Sequence, residues 1–209
     1  MNNNLTISIY SSKGGVGKTS ISNVLTRDLQ YRYKTNDYSK ILEDYKNATL
    51  YKNKIPFKRG TLYDFGGWDD IQAKAICLKS DLIIIPVIAD YNSLLKNIML
   101  INQLKQYKEY RQEKILIVGN MIKKEEEINQ IRTILTKHFG KLNFIFLRNS
   151  EVFKNCMNQK KGLIEIFKEN GKNSHIYKGI YSDYIKLINY IRELDNLLYN
   201  PNIINNINI

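Results

Sequence analysis

One ten-residue stretch limits what this 209-residue chain can fold into: Ser11-Ser12-Lys13-Gly14-Gly15-Val16-Gly17-Lys18-Thr19-Ser20. It follows a short apolar run, Leu5 to Tyr10. It precedes a segment in which Ile21, Val24, Leu25 and Leu29 share one helical face. Strand, glycine loop and helix in that order build a phosphate-binding loop, because the loop amides and the helix start aim N–H groups at an anion. Gly14, Gly15 and Gly17 allow φ > 0 and a close approach of backbone to phosphate oxygens. The expected nucleotide-binding set is Gly14, Gly15, Val16, Gly17, Lys18, Thr19 and Ser20. Lys18 supplies a point charge near the β- and γ-phosphates, and the Thr19 hydroxyl is placed to ligate Mg²⁺.

The rest of the chain alternates strand and helix signals. Thr61-Leu62-Tyr63-Asp64-Phe65 is an apolar strand that ends at an aspartate and then Gly66-Gly67. Asp81 to Val87 and Lys114 to Asn120 contain continuous apolar runs of the kind buried on both faces of a parallel sheet. Phe144 to Leu147 is the last clear strand. Helical periods cover Ile71 to Leu78, with Ile71, Ala75, Ile76 and Leu78 as the apolar set, then Ser93 to Tyr110, Glu125 to Phe139 and Ile176 to Tyr199. Asp69 or Asp70 is placed to cap the first of these. Tyr31 to Thr35 alternates as a half-buried or edge strand, and Ser39 can cap a short helix. This pattern predicts an α/β doubly wound, mostly parallel sheet with helices on both faces. Residues 1–199 form one domain in this reading, and 200–209 an Asn-rich, disordered tail.

Composition narrows the function classes. No apolar stretch is long enough to span a membrane, and Met1 to Asn4 has no secretory character. Cys77 and Cys156 are expected to be reduced structural thiols, and His138 and His175 are isolated. These features predict a cytoplasmic protein. The formal charge is +12. That excess suits nucleic acid or an anionic surface, but it is spread over both halves and so does not locate a contact.

Lys13 adds specificity. Lys13-Gly14-Gly15-Val16-Gly17-Lys18-Thr19 resembles the deviant Walker A motif of the ParA/MinD family of P-loop ATPases, closest to its small ParA-type partition members. The resemblance covers most of residues 5–165 and includes the Asp81 to Val87 strand. It implies ATP or ADP with Mg²⁺ as ligands, with ATP closing a homodimer in which Lys13 reaches the partner subunit's phosphates. Asp64 matches Walker B and would hold the Mg²⁺ shell with Thr19. Gly66 or Gly67 would offer an N–H to the γ-phosphate. Asn120 matches the asparagine that contacts adenine. The family's D-x-D-P-Q segment is matched only at Asp37 of Thr35-Asn36-Asp37-Tyr38-Ser39. Asp37 would orient the attacking water, and Glu43-Asp44 is the other alignment. The catalytic set implied is Lys13, Lys18 and Asp37.

The implied function is ATP-dependent DNA partition for a plasmid or mobile element. The dimer would bind DNA non-specifically, associate with the nucleoid and be stimulated to hydrolyse ATP by a ParB-like centromere-binding protein. Lys154, Lys160 and Lys161 are candidate phosphate contacts. No N-terminal DNA-binding domain is expected ahead of Leu5. The terminal helix carries balanced charge, so no stable membrane association is expected. The alternatives are a MinD-like or VirC1-like positioning ATPase, a non-hydrolysing ATP-dependent scaffold, or a P-loop biosynthetic ligase. The Asp64-Phe65-Gly66 triplet does not make a protein kinase, because no H-R-D-type loop accompanies it.

Overall fold

A computed structural model of the chain describes residues 4–51, 55–66, 71–170 and 175–199. Seven strands form one sheet, β1 (Ile7–Tyr10), β2 (Arg32–Thr35), β3 (Ala48–Leu50), β4 (Thr61–Phe65), β5 (Leu82–Val87), β6 (Ile115–Ile122) and β7 (Asn143–Arg148). Their order is β3-β2-β4-β1-β5-β6-β7, and every pairing is parallel. The helices are α1 (Lys18–Leu29), α2 (Ile41–Asp44), α3 (Ile71–Lys79), α4 (Tyr91–Leu104), α5 (Glu125–Phe139), α6 (Val152–Gln159), α7 (Leu163–Asn170) and α8 (His175–Tyr199).

The direction of each crossover decides which face a helix covers. A right-handed connection from β1 toward β2 puts α1 on one face. Connections running the other way, from β4 through β5 to β7, put α3, α4 and α5 on the opposite face. Two hydrophobic clusters result. Ile7, Ile9, Leu82 and Ile84 point into the first, with α1, α6, α7 and α8. Tyr10, Ile83, Ile85 and Val87 point into the second, with α3, α4 and α5. Each strand thus feeds alternate residues to two cores, which is why its sequence reads as an unbroken apolar run. Each fully buried aliphatic side chain contributes about 1.5–3 kcal/mol.

The sheet is fully parallel among the described residues, where a mostly parallel one was expected. Four local expectations need correction. The Tyr31–Thr35 segment is not an edge: β3 pairs outside β2, with Tyr33 opposite Ala48. Lys34 can therefore be buried, its ammonium donating to the Pro56 carbonyl between the Tyr51 and Tyr63 rings. Ser39 makes no side-chain cap for α2; its carbonyl accepts from the Leu42 N–H instead. On α3, Ile71 is 75% exposed and Ala75 is also exposed, while Ala73 and Cys77 turn inward with Ile76 and Leu78. The fourth α-helix stops at Leu104, short of Tyr110. The Asp69 or Asp70 cap and the 200–209 tail lie outside the described residues.

Candidate functional site

The glycine loop lies at the carboxyl end of β1, beside the point where crossovers leave in opposite directions. Such a crevice is where open α/β sheets take ligands. Gly15 and Gly17 adopt positive φ, 76° and 90°; Gly14 does not. Gly17 is the residue just before α1, and no side chain caps that helix start. Its amide end therefore faces the loop as a positive pole. The Asn120 carboxamide, 5% exposed and two residues before the end of β6, donates to the Val16 carbonyl at 2.9 Å. From the other side Ser11 donates to Asn97 of α4 at 2.9 Å, and Asn97 donates to the Pro86 carbonyl at 3.4 Å. Pro86 is tolerated in this interior strand because β1 pairs with β5 only as far as Ile84.

A cleft of about 420 Å³ opens over the loop. Its lining brings together Lys13, Gly14, Gly15, Lys18, Thr19, Asp37, Asp64 and Gly66 from three separate segments. Val16, Gly17, Ser20 and Asn120 do not line it. The Val16 side chain is fully buried, Gly17 is walled off by Asn120, and Asn120 braces the loop from behind. Asp44, the other aligned carboxylate, is turned away and pairs with Arg27 at 2.6 Å. Gly67 lies outside the described residues.

Burial pushes Lys18 below its ordinary range, against the pull of Asp64 and Asp37. The Lys18 ammonium donates to the Lys13 carbonyl at 3.2 Å. Asp64 is 3% exposed, and burial pushes its carboxyl up, opposed by the Tyr33 hydroxyl, Thr19 and Lys18. Its Oδ1 is buried without a hydrogen-bond partner. An orphaned carboxylate oxygen in reach of a threonine hydroxyl and an open cleft suits a hard divalent cation, which takes oxygen ligands. The residues present therefore fit Mg²⁺, with Thr19 and Asp64 as its holders.

Several groups in and behind the cleft wall were not singled out from the sequence. Tyr33 donates to Asp64 Oδ2 at 2.7 Å. The Asn36 side chain brackets Gly66, accepting its N–H at 2.8 Å and donating to its carbonyl at 3.2 Å. Ser12, Thr35, Tyr38 and Ser39 complete the wall. The adjacency of β2 and β4 is a tertiary fact, so no local signal pairs Tyr33 with Asp64. The candidate DNA lysines are all engaged: Lys154 with Glu151, Lys160 with Asp44, and Lys161 with Glu165 and Glu169. No helix among the described residues is long and apolar enough to cross a membrane.

No family model matches the sequence, and no curated protein matches it. The fold does have solved relatives. The MinD cell division protein of Aquifex aeolicus superposes with a TM-score of 0.59 at 15% identity, over 88% of this chain and 97% of that one. A plasmid partition protein from Borrelia burgdorferi bound to AMPPNP gives 0.54 at 17%, over 88% and 99%. The septum site-determining protein MinD of Pyrococcus horikoshii, with Mg-ADP, gives 0.55 at 13%, over 90% and 98%. The chain has the P-loop fold of these ParA/MinD-type proteins.

Proposed function

We propose that the chain is a ParA/MinD-type ATP hydrolase that binds ATP and Mg²⁺ in the cleft and closes as a two-fold dimer over the nucleotides. The observation that carries this reading is the convergence of Lys13, Lys18, Thr19, Asp37 and Asp64 on one cleft floored by glycine backbone. The AMPPNP and Mg-ADP held by solved neighbours support the choice of ligands. Lys18 and the loop amides hold the β- and γ-phosphates, and Lys13 serves the partner's nucleotide across the two-fold. Thr19 and Asp64 hold the metal, which when bound neutralises charge on the phosphate oxygens. Asp37 orients the attacking water. Asn120 serves the adenine side while its amide braces Val16.

The finer reading is DNA partition. The dimer binds DNA without sequence preference through basic surface, and a ParB-like partner accelerates hydrolysis. The charge of +12 and the likeness to a plasmid partition protein support it. The MinD neighbours, a cell division and a septum site-determining protein, favour a second reading, a MinD-like positioning ATPase.

The test is DNA retention and phosphate release with ADP, ATP and a slowly hydrolysed analogue across salt concentrations. ATP-dependent retention that falls steeply with salt is expected. Tight ATP binding without phosphate release would leave only a scaffold. ATP-dependent pelleting with anionic vesicles, in place of DNA retention, would move the chain to the positioning class.

A further inference from the structure

Tyr33 is a buried residue of β2, two strand positions before Thr35, and it has no counterpart in the motif logic of the loop. Its ring sits in the first core cluster, fully buried. Its hydroxyl lies against Asp64 Oδ2 at 2.7 Å and the Ser39 hydroxyl at 3.3 Å. An ionised carboxylate only accepts, so the phenol proton goes to Asp64, and the Ser39 proton goes to the phenol oxygen. The result is a buried chain, Ser39 to Tyr33 to Asp64, in which each bond polarises the next. It fixes one carboxylate oxygen and leaves Oδ1 as the one without a partner.

The register explains why this geometry is stiff. Tyr33 pairs with Leu62 and Thr35 with Asp64, so the phenol rises beside the aspartate from an adjacent strand. At the strand ends Asn36 brackets Gly66 on both backbone groups. The loop that carries Asp37 is thereby tied to the end of β4 twice, once through Tyr33 and once through Asn36.

We propose that Tyr33 is a positioning residue for the metal: its hydroxyl holds Asp64 so that Oδ1 alone faces the cation site. This rests on the nucleotide–metal reading above. Tyr33 does not line the cleft, so its hydroxyl governs how well Mg²⁺ is held and not how well phosphate is held.

The test is ADP binding by calorimetry, in EDTA and over a Mg²⁺ titration, for wild type and Tyr33→Phe, with thermal melting beside it. Tyr33→Phe keeps the ring in the core. Its ADP affinity in EDTA is expected within about twofold of wild type, while the Mg²⁺ concentration for half-maximal enhancement rises about tenfold, the scale of one lost hydrogen bond to a charged group. Ser39→Ala, which leaves the core intact, moves the same half-point in the same direction by about threefold, the scale of one neutral hydrogen bond. An unchanged Mg²⁺ half-point in Tyr33→Phe, with wild type Mg²⁺-dependent, overturns the assignment of Tyr33 alone. An equal loss of affinity with and without Mg²⁺ overturns it too, since the hydroxyl would then shape the whole cleft. Should Tyr33→Phe fail to fold, an unmoved half-point in Ser39→Ala overturns it. A wild type indifferent to Mg²⁺ overturns the underlying nucleotide–metal reading itself.

Discussion

Gly15 and Gly17 share a loop and a backbone hand, yet they are held by different constraints. A side chain on Gly15 would enter open space and suffer only the cost of its φ of 76°. A side chain on Gly17 would run into the Asn120 carboxamide as well. Gly17→Ala is therefore expected to lower Tm by about 5 °C, from about 1–3 kcal/mol of backbone strain and a displaced carboxamide. Gly15→Ala loses clearly less. Parallel melts check the order, and equal losses would mean that Asn120 yields freely. The loop's glycines, Lys18, Thr19 and Asp64 were legible because their chemistry is local. Tyr33 and Asn36 were not, because each acts on a residue 30 or more positions away. Asn120 was legible as a strand-end asparagine, but its grip on Val16 needed the neighbouring strand to be in place.

At the scale of elements, α1 links the cleft to the carboxyl-terminal helices. Asp28, in its last turn, accepts the Leu163 N–H at 2.8 Å and the Ile164 N–H at 3.2 Å, and so caps α7 from another helix. Gly162 leaves room for that carboxylate, which a Cβ there would strike. Burial pushes the Asp28 carboxyl above its ordinary range, partly offset by the Tyr184 hydroxyl and those two amides. A raised folded-state pKa means that the fold favours the protonated form. The stability this lends is complete below the unfolded-chain value and is lost as pH rises through the folded one. Asp28→Asn keeps an oxygen for the cap without the ionisation. Its Tm relative to wild type should therefore climb by about 3 °C between pH 4 and pH 8. A variant Tm that falls relative to wild type over that range would contradict the sign. α6 and α7 were not among the helices read from the sequence, because they have only eight residues each and are separated by a break at Lys160, whose φ is 58°. Such short helices are held by packing on α1 rather than by propensity. β3 was missed for a like reason: three residues find their partner only once β2 is placed.

At the scale of the molecule, the proposed switch is a dimer, and Lys13 is the residue that tests it. It lines the cleft with Lys18, whose ammonium donates to the Lys13 carbonyl. Lys13→Ala should bind ATP within about threefold of wild type, since one exposed charge contact contributes about 1 kcal/mol or less, yet stay monomeric with ATP by light scattering. A normal ATP-dependent dimer in that variant would return Lys13 to the role of a solvated loop lysine. The sequence by itself determined the loop, the aspartate near the end of its strand, the alternation of strand and helix and therefore a wound parallel sheet, because each depends on neighbours along the chain or on a two- or 3.6-residue period. Tertiary structure alone decided the strand order, which of Asp37 and Asp44 faces the phosphate loop, the pairing of Lys160 with Asp44, and the hold of Tyr33 on Asp64. Those depend on which segments the right-handed crossovers bring side by side, and a one-dimensional pattern carries no record of that until β2 and β4 have met.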